Sequence, residues 1–135
     1  MKTLVVDDFA TMRKIVKNVL RQIDITNVTE AENGRQALEI LKREGDFELI
    51  VSDWIMPEMT GIEFLRACKE DETIKNIPFV MVTAEAQKDS VLEAIKAGVD
   101  NYIVKPFTPE KLKEVMARPW PSSANRQVNW RRRWK

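Results

Sequence analysis

At 135 residues, with 44% apolar and 32% charged side chains, the chain has room for one domain with a real core and too little for two ordinary ones. No apolar run approaches the roughly 20 residues that cross a bilayer, and acid at Asp7 and Asp8 comes too early for a secretory signal. The absence of histidine excludes Ser-His-Asp and Cys-His catalysis and most zinc sites, so any chemistry rests on carboxylates, hydroxyls and lysine. A single cysteine, Cys68, rules out an internal disulfide and fits a cytoplasmic protein, where it is expected as a small buried residue on a helix face.

Four runs, Leu4-Val5-Val6, Leu49-Ile50-Val51, Phe79-Val80-Met81-Val82 and Tyr102-Ile103-Val104, are short, branched and continuous, the pattern of strands covered on both faces. Val28-Thr29-Glu30-Ala31 mixes polar and apolar residues and predicts a half-exposed edge strand. Between them lie five helical stretches. Met12, Ile15, Val16, Val19, Leu20 and Ile23 form an amphipathic stripe. Asn33 opens a second helix, with Ala37, Leu38 and Leu41 inward and Gly45 just past its end. Thr60-Gly61-Ile62-Glu63 reads as a capping box for a third, running through Leu65 and Cys68. The fourth carries Val91, Leu92 and Ile95 and stops at Gly98; the fifth starts at Thr108-Pro109, with Leu112, Val115 and Met116 as its apolar positions. Strand and helix thus alternate five times, which predicts an α/β fold with a parallel sheet, helices on both faces and right-handed crossovers.

In such sheets reactive groups gather beyond the carboxyl ends of the strands. Those ends carry Asp7 and Asp8, Asp53, Thr83, and Lys105 followed by Pro106. Carboxylates crowded at one edge repel one another, and a divalent cation relieves the repulsion. Oxygen-only ligands point to Mg²⁺, with Mn²⁺ as the alternative, rather than zinc. A carboxylate nucleophile beside a metal forms an acyl phosphate, for which Lys105 supplies a cation and Thr83 a donor. Asp7 and Asp8, as neighbours, suit a metal; Asp53, followed by the apolar turn Trp54-Ile55-Met56-Pro57, is the better placed nucleophile, although the residues alone leave the choice open.

Val6-Asp7-Asp8, Asp53-Trp54-Ile55-Met56-Pro57 with Gly61, Val82-Thr83-Ala84-Glu85-Ala86 and Lys105-Pro106-Phe107-Thr108 together resemble the receiver (response-regulator) family, and within it the single-domain chemotaxis receivers, over about Lys2 to Met116. The resemblance implies a doubly wound, flavodoxin-like (βα)5 domain over 1–117 with strand order 2-1-3-4-5. It makes Asp53 the phosphoacceptor. Asp8, Asp53 and the Ile55 backbone carbonyl become Mg²⁺ ligands, and Asp7 acts through water. Thr83 and Lys105 bind the phosphoryl oxygens, Tyr102 is the switching aromatic, and the Lys105–Pro106 peptide is cis. The implied phosphodonor is a histidine kinase. The implied effector, a flagellar motor switch protein or another target, docks on the face formed by helix four, strand five and helix five. Such a protein promotes only its own phosphorylation and dephosphorylation. Two other readings stand beside it: a phosphorelay intermediate that passes its phosphate to a histidine phosphotransfer protein, and a Mg²⁺-dependent phosphatase acting on outside substrates.

Two features depart from the family pattern. Ile55 cannot orient an attacking water through its side chain, so slow loss of phosphate is expected; Glu85 stands close enough in sequence to Thr83 to help or hinder. The other departure is residues 118–135, which carry six basic side chains and no acid, against 16 basic and 21 acidic (net −5) in residues 1–117. Arg118-Pro119-Trp120-Pro121 stops helix five early. Trp130 and Trp134 among arginines then read as a nucleic-acid arm, a membrane-surface segment or a non-native end.

Overall fold

A computed structural model describes residues 1–83, 88–105 and 107–117. The chain runs β1 (Thr3–Val6), α1 (Ala10–Gln22), β2 (Val28–Ala31), α2 (Gly34–Glu44), β3 (Leu49–Asp53), α3 (Gly61–Glu70), β4 (Phe79–Thr83), α4 (Lys88–Lys96), β5 (Asn101–Val104) and α5 (Pro109–Ala117). The five strands form one parallel sheet in the order β2-β1-β3-β4-β5, as the family resemblance implied.

The continuous apolar strands are explained by what covers them. Side chains alternate across a strand, so Leu4, Val6, Ile50, Phe79 and Met81 enter one core with Ala37, Ile40 and Leu41 of α2, Phe64, Leu65 and Cys68 of α3 and Ala94 of α4. Val5, Leu49, Val51, Val80, Val82 and Ile103 enter the other, against Val16, Val19 and Leu20 of α1 and Leu112 and Val115 of α5. Phe64 and Phe79 meet at a ring-centroid distance of 5.4 Å, tilted by 54°, and truncating either to alanine costs on the order of 3–5 kcal/mol. Strand β2, at the edge, buries only Ala31.

Helix starts follow the expected chemistry. The Asn33 side chain accepts from Gln36 N, and Thr60 and Glu63 close a reciprocal capping box. Thr108 Oγ1 accepts from Lys111 N at 3.1 Å. Two apolar assignments are corrected. Leu92 and Ile95 on α4 are 45% and 56% exposed while Ala94 is the buried position, and Ile15 on α1 is 47% exposed. On a helix of nine residues the 3.6-residue period has too few turns to tell a core stripe from an apolar outer face. The side chains of Val91 and Met116, and all of 84–87, Pro106 and 118–135, lie outside the described residues. So do the expectations for Glu85, the Lys105–Pro106 peptide and the basic tail.

Cys68 is buried as expected. Burial pushes its thiol up to about 12, leaving almost no thiolate at neutral pH. An alkylating reagent at pH 8 should therefore label the protein only after unfolding; rapid labelling of the native protein, read by mass, would contradict this.

Candidate functional site

Parallel pairing brings the strand ends level. Val6 lies opposite Ala31 and Ser52, Asp53 opposite Val82, and Thr83 opposite Val104. The residues that end or follow these strands therefore share one edge of the sheet. Asp7, Asp8 and Asp53 each place a carboxylate oxygen within 4.8 Å of the others. Lys105 Nζ lies 3.0 Å from Asp53 Oδ1 and 3.5 Å from Asp7 Oδ2. Thr83 is buried at the end of β4, and its carbonyl accepts from Lys105 N at 2.7 Å. Four of the five predicted reacting residues are thus shown converging, and the fifth, Thr83, stands at the same edge.

The main chain around each group is tightly specified. Asp7 N donates to Ala31 O at 3.1 Å, and Asp7 Oδ1 accepts from Phe9 N at 3.0 Å. Trp54 N donates to Val82 O, extending the sheet past Asp53, while Gly61 N returns to Trp54 O at 2.8 Å. Gly61 lies so close to this turn that a Cβ there would sit 2.5 Å from Asp53 O. The turn leaves the Ile55 side chain 78% exposed and buries Met56.

The electrostatics are unbalanced. Burial, the largest influence on Asp7, raises its pKa above the usual carboxylate value. Asp53 and Asp8 push the same way, against the Phe9 N–H and Lys105. Among the described residues, Asp8 Oδ1 is the one buried side-chain oxygen without a hydrogen-bond partner. A buried, unpartnered carboxylate oxygen is costly, and a hard divalent cation held among the three carboxylates would satisfy it. The donor set fits Mg²⁺.

Tyr102 is half-buried and packs against the core shared with α2, α3 and α4. Sequence reasoning missed Arg13, whose Nη1 donates to Asp7 O at 2.7 Å. It also missed the tie of Lys69 Nζ to buried Asp100 at 3.2 Å, with Asp100 accepting in turn from Phe79 N at 2.7 Å. Lys69 and Asp100 lie 31 residues apart and Arg13 reaches back six residues to a main-chain oxygen, so no side-chain pattern announces either tie.

The model of the response regulator receiver domain matches residues 3–117. The chain is 54% identical over 114 residues to chemotaxis protein CheY of Pseudomonas aeruginosa, covering 84% of this chain and 91% of that protein. It is 53% identical over 114 residues to CheY-3 of Vibrio cholerae, with 84% and 87% covered. Among solved structures, chemotaxis response regulator CheY4 of Vibrio cholerae superposes with a TM-score of 0.76 at 35% identity, over 84% of this chain and 92% of that one. The receiver domain of a Pseudomonas aeruginosa sensor histidine kinase, with a magnesium ion coordinated in its active-site cleft, gives 0.75 at 25% identity, over 84% and 91%. The chain belongs to the response regulator receiver domain family.

Proposed function

We propose that this receiver takes a phosphoryl group from a histidine kinase onto Asp53 and, so modified, changes its affinity for a partner. The observation that carries the reading is the buried, unpartnered Asp8 Oδ1 inside a three-carboxylate cluster with Lys105 at 3.0 Å from Asp53. Phosphorylation-activated two-component signalling follows from the family; the donor, the metal and the residue roles are proposed from the geometry of the site.

Asp8, Asp53 and the Ile55 carbonyl would hold Mg²⁺, with Asp7 acting through water. When bound, Mg²⁺ offsets the mutual repulsion of the carboxylates and the charge of the transferring group. Asp53 is held for attack because the residue that follows it is fixed at both its main-chain nitrogen and its carbonyl. The Trp54 N–H is tied to β4, and the Gly61 N–H is tied to the Trp54 carbonyl. One carboxylate oxygen of Asp53 bonds to phosphorus as the donor's P–N bond breaks, and the electron pair leaves on the donor nitrogen. Lys105, already between Asp53 and Asp7, needs only a short movement to meet the phosphoryl oxygens, and the Thr83 hydroxyl adds a donor. Drawing Thr83 toward the phosphate and Tyr102 inward would bias the α4–β5–α5 face between two states. That face exposes Leu92, Ile95 and Val104, an apolar patch suited to a partner such as a flagellar motor switch protein. The protein on this reading is a cytoplasmic switch and acts on no outside substrate. Among the described residues no helix is long and apolar enough to cross a membrane.

Intact-mass measurement after treatment with acetyl phosphate tests the chemistry. A gain of one phosphate that requires Mg²⁺ and is lost in EDTA is expected; no gain with Mg²⁺ present would refute it. Pulldown of the phosphorylated protein by a motor-switch peptide is expected. Capture instead by a histidine phosphotransfer domain, with transfer of the label, would favour a phosphorelay intermediate.

The exposed Ile55 side chain has no atom that accepts a proton or orients water. Ile55→Asn should speed phosphate loss roughly three- to tenfold, below the 10²–10⁴ of a positioned general base. An unchanged or slower decay of the acyl phosphate would dispose of this explanation.

A further inference from the structure

Arg13 touches none of the reacting carboxylates, yet it grips the loop that presents them. Its Nη1 donates to the main-chain oxygen of Asp7 at 2.7 Å, and its Nε donates to Glu30 Oε1 at 2.9 Å. The other Glu30 oxygen accepts from Lys17 Nζ at 3.1 Å, so the carboxylate that orients Arg13 is itself held. The Arg13 side chain is only 12% exposed. The next link is covalent. The Asp7 N–H is tied directly to Ala31 of β2, and the Asp7 carbonyl is tied through Arg13 to Glu30 of the same strand. A peptide unit is planar, so fixing the Asp7 oxygen also fixes the nitrogen and Cα of Asp8. That matters because Asp8 Oδ1, buried and without a hydrogen bond, has no partner of its own to aim it.

We propose that Arg13, oriented by Glu30, is a positioning residue for the divalent-cation site, setting the Asp7–Asp8 peptide so that the Asp8 carboxylate meets the metal without rearrangement. The inference rests on the Mg²⁺ reading given above. It makes a prediction opposite in sign to simple electrostatics. Arg13 is a cation beside a cation site, so its removal should tighten Mg²⁺ binding if charge alone matters. Removal should weaken binding if the peptide orientation matters. Lysine retains the charge but lacks the rigid fork that spans a carbonyl and a carboxylate at once.

The test is Mg²⁺ titration of the full chain at fixed ionic strength. Isothermal titration calorimetry gives the readout, because Trp120, Trp130 and Trp134 emit alongside Trp54, and thermal unfolding is recorded in EDTA. Arg13→Met should weaken Mg²⁺ binding about tenfold, the low end for residues that support a ligand indirectly. Arg13→Lys should lose nearly as much and Glu30→Gln less. Lys14→Met, which removes a cation from the exposed side of the same helix, should bind Mg²⁺ no more weakly than wild type. At saturating Mg²⁺ the rate of labelling by acetyl phosphate should return to that of wild type. Equal or tighter binding by Arg13→Met overturns the proposal, as does a lowered melting temperature with unchanged Mg²⁺ affinity. If Arg13→Met does not fold, Glu30→Gln, which retains Arg13, decides in the same way. A wild-type protein with no saturable Mg²⁺ response removes the metal reading itself, and this inference with it.

Discussion

Asp53→Asn is expected to abolish acyl-phosphate formation completely while leaving the domain folded. Asparagine has nearly the same volume and its amide oxygen is not a nucleophile, so on the proposed mechanism the group lost is the one that bonds to phosphorus. The effect on folding is a balance. Removing the charge relieves repulsion within the Asp7, Asp8 and Asp53 cluster, but takes from Lys105 its 3.0 Å partner. Lys105 keeps Asp7 at 3.5 Å, so no cation is left without a neighbouring carboxylate. The test is intact mass after acetyl phosphate and Mg²⁺, with circular dichroism as the control for folding. Asp8→Asn gives the contrast, because it retains the proposed acceptor and loses a proposed metal ligand. Its labelling should be slower and should need more Mg²⁺. A phosphate that survives Asp53→Asn would move the acceptor to Asp7 or Asp8, the alternatives that carboxylate chemistry alone leaves open.

The sheet was legible because four of its five strands write both faces into an unbroken apolar run, the mixed edge strand β2 excepted, and the flanking acids, hydroxyl and lysine follow at the strand ends. Parallel pairing then forces them onto one edge, so the convergence of Asp7, Asp8, Asp53 and Lys105 needed no knowledge of distances. The strand order came from family resemblance, since nothing in the runs themselves says that β1 lies between β2 and β3. What misled was the outer face of α4. Leu92 and Ile95 have the spacing of core residues and are exposed, because an apolar outer face obeys the same helical period as one that meets a sheet. What stayed hidden was support through long-range contacts. Arg13 meets Glu30 across a turn and a strand, and a lone arginine on a helix ordinarily reads as a solvated side chain.

Gly61→Ala is expected to be strongly destabilising and to slow the acceptance of phosphate. The new Cβ would stand 2.5 Å from Asp53 O and 2.9 Å from both Trp54 Cα and Trp54 O. All three are backbone atoms of the turn that carries the acceptor, so no flexible side chain can yield. Overpacking costs typically 1–3 kcal/mol, and with only backbone to move the upper end, about 3 kcal/mol, is expected. At a urea dependence of about 1.5 kcal/mol per molar, the unfolding midpoint falls by about 2 M. Gly45 supplies the comparison. Its φ of +71° with ψ of −179° is a backbone combination essentially confined to glycine, while nothing lies within 4 Å of a Cβ there, so Gly45→Ala should cost about 1–3 kcal/mol through backbone strain alone. The distinguishing consequence is chemical. Relief of the Gly61 clash must displace Asp53 and Trp54, so the folded fraction of Gly61→Ala should accept phosphate more slowly, whereas Gly45→Ala should react at the wild-type rate. If the two variants are equally stable and equally reactive, close packing of α3 on the Asp53 turn is not what holds the acceptor in place.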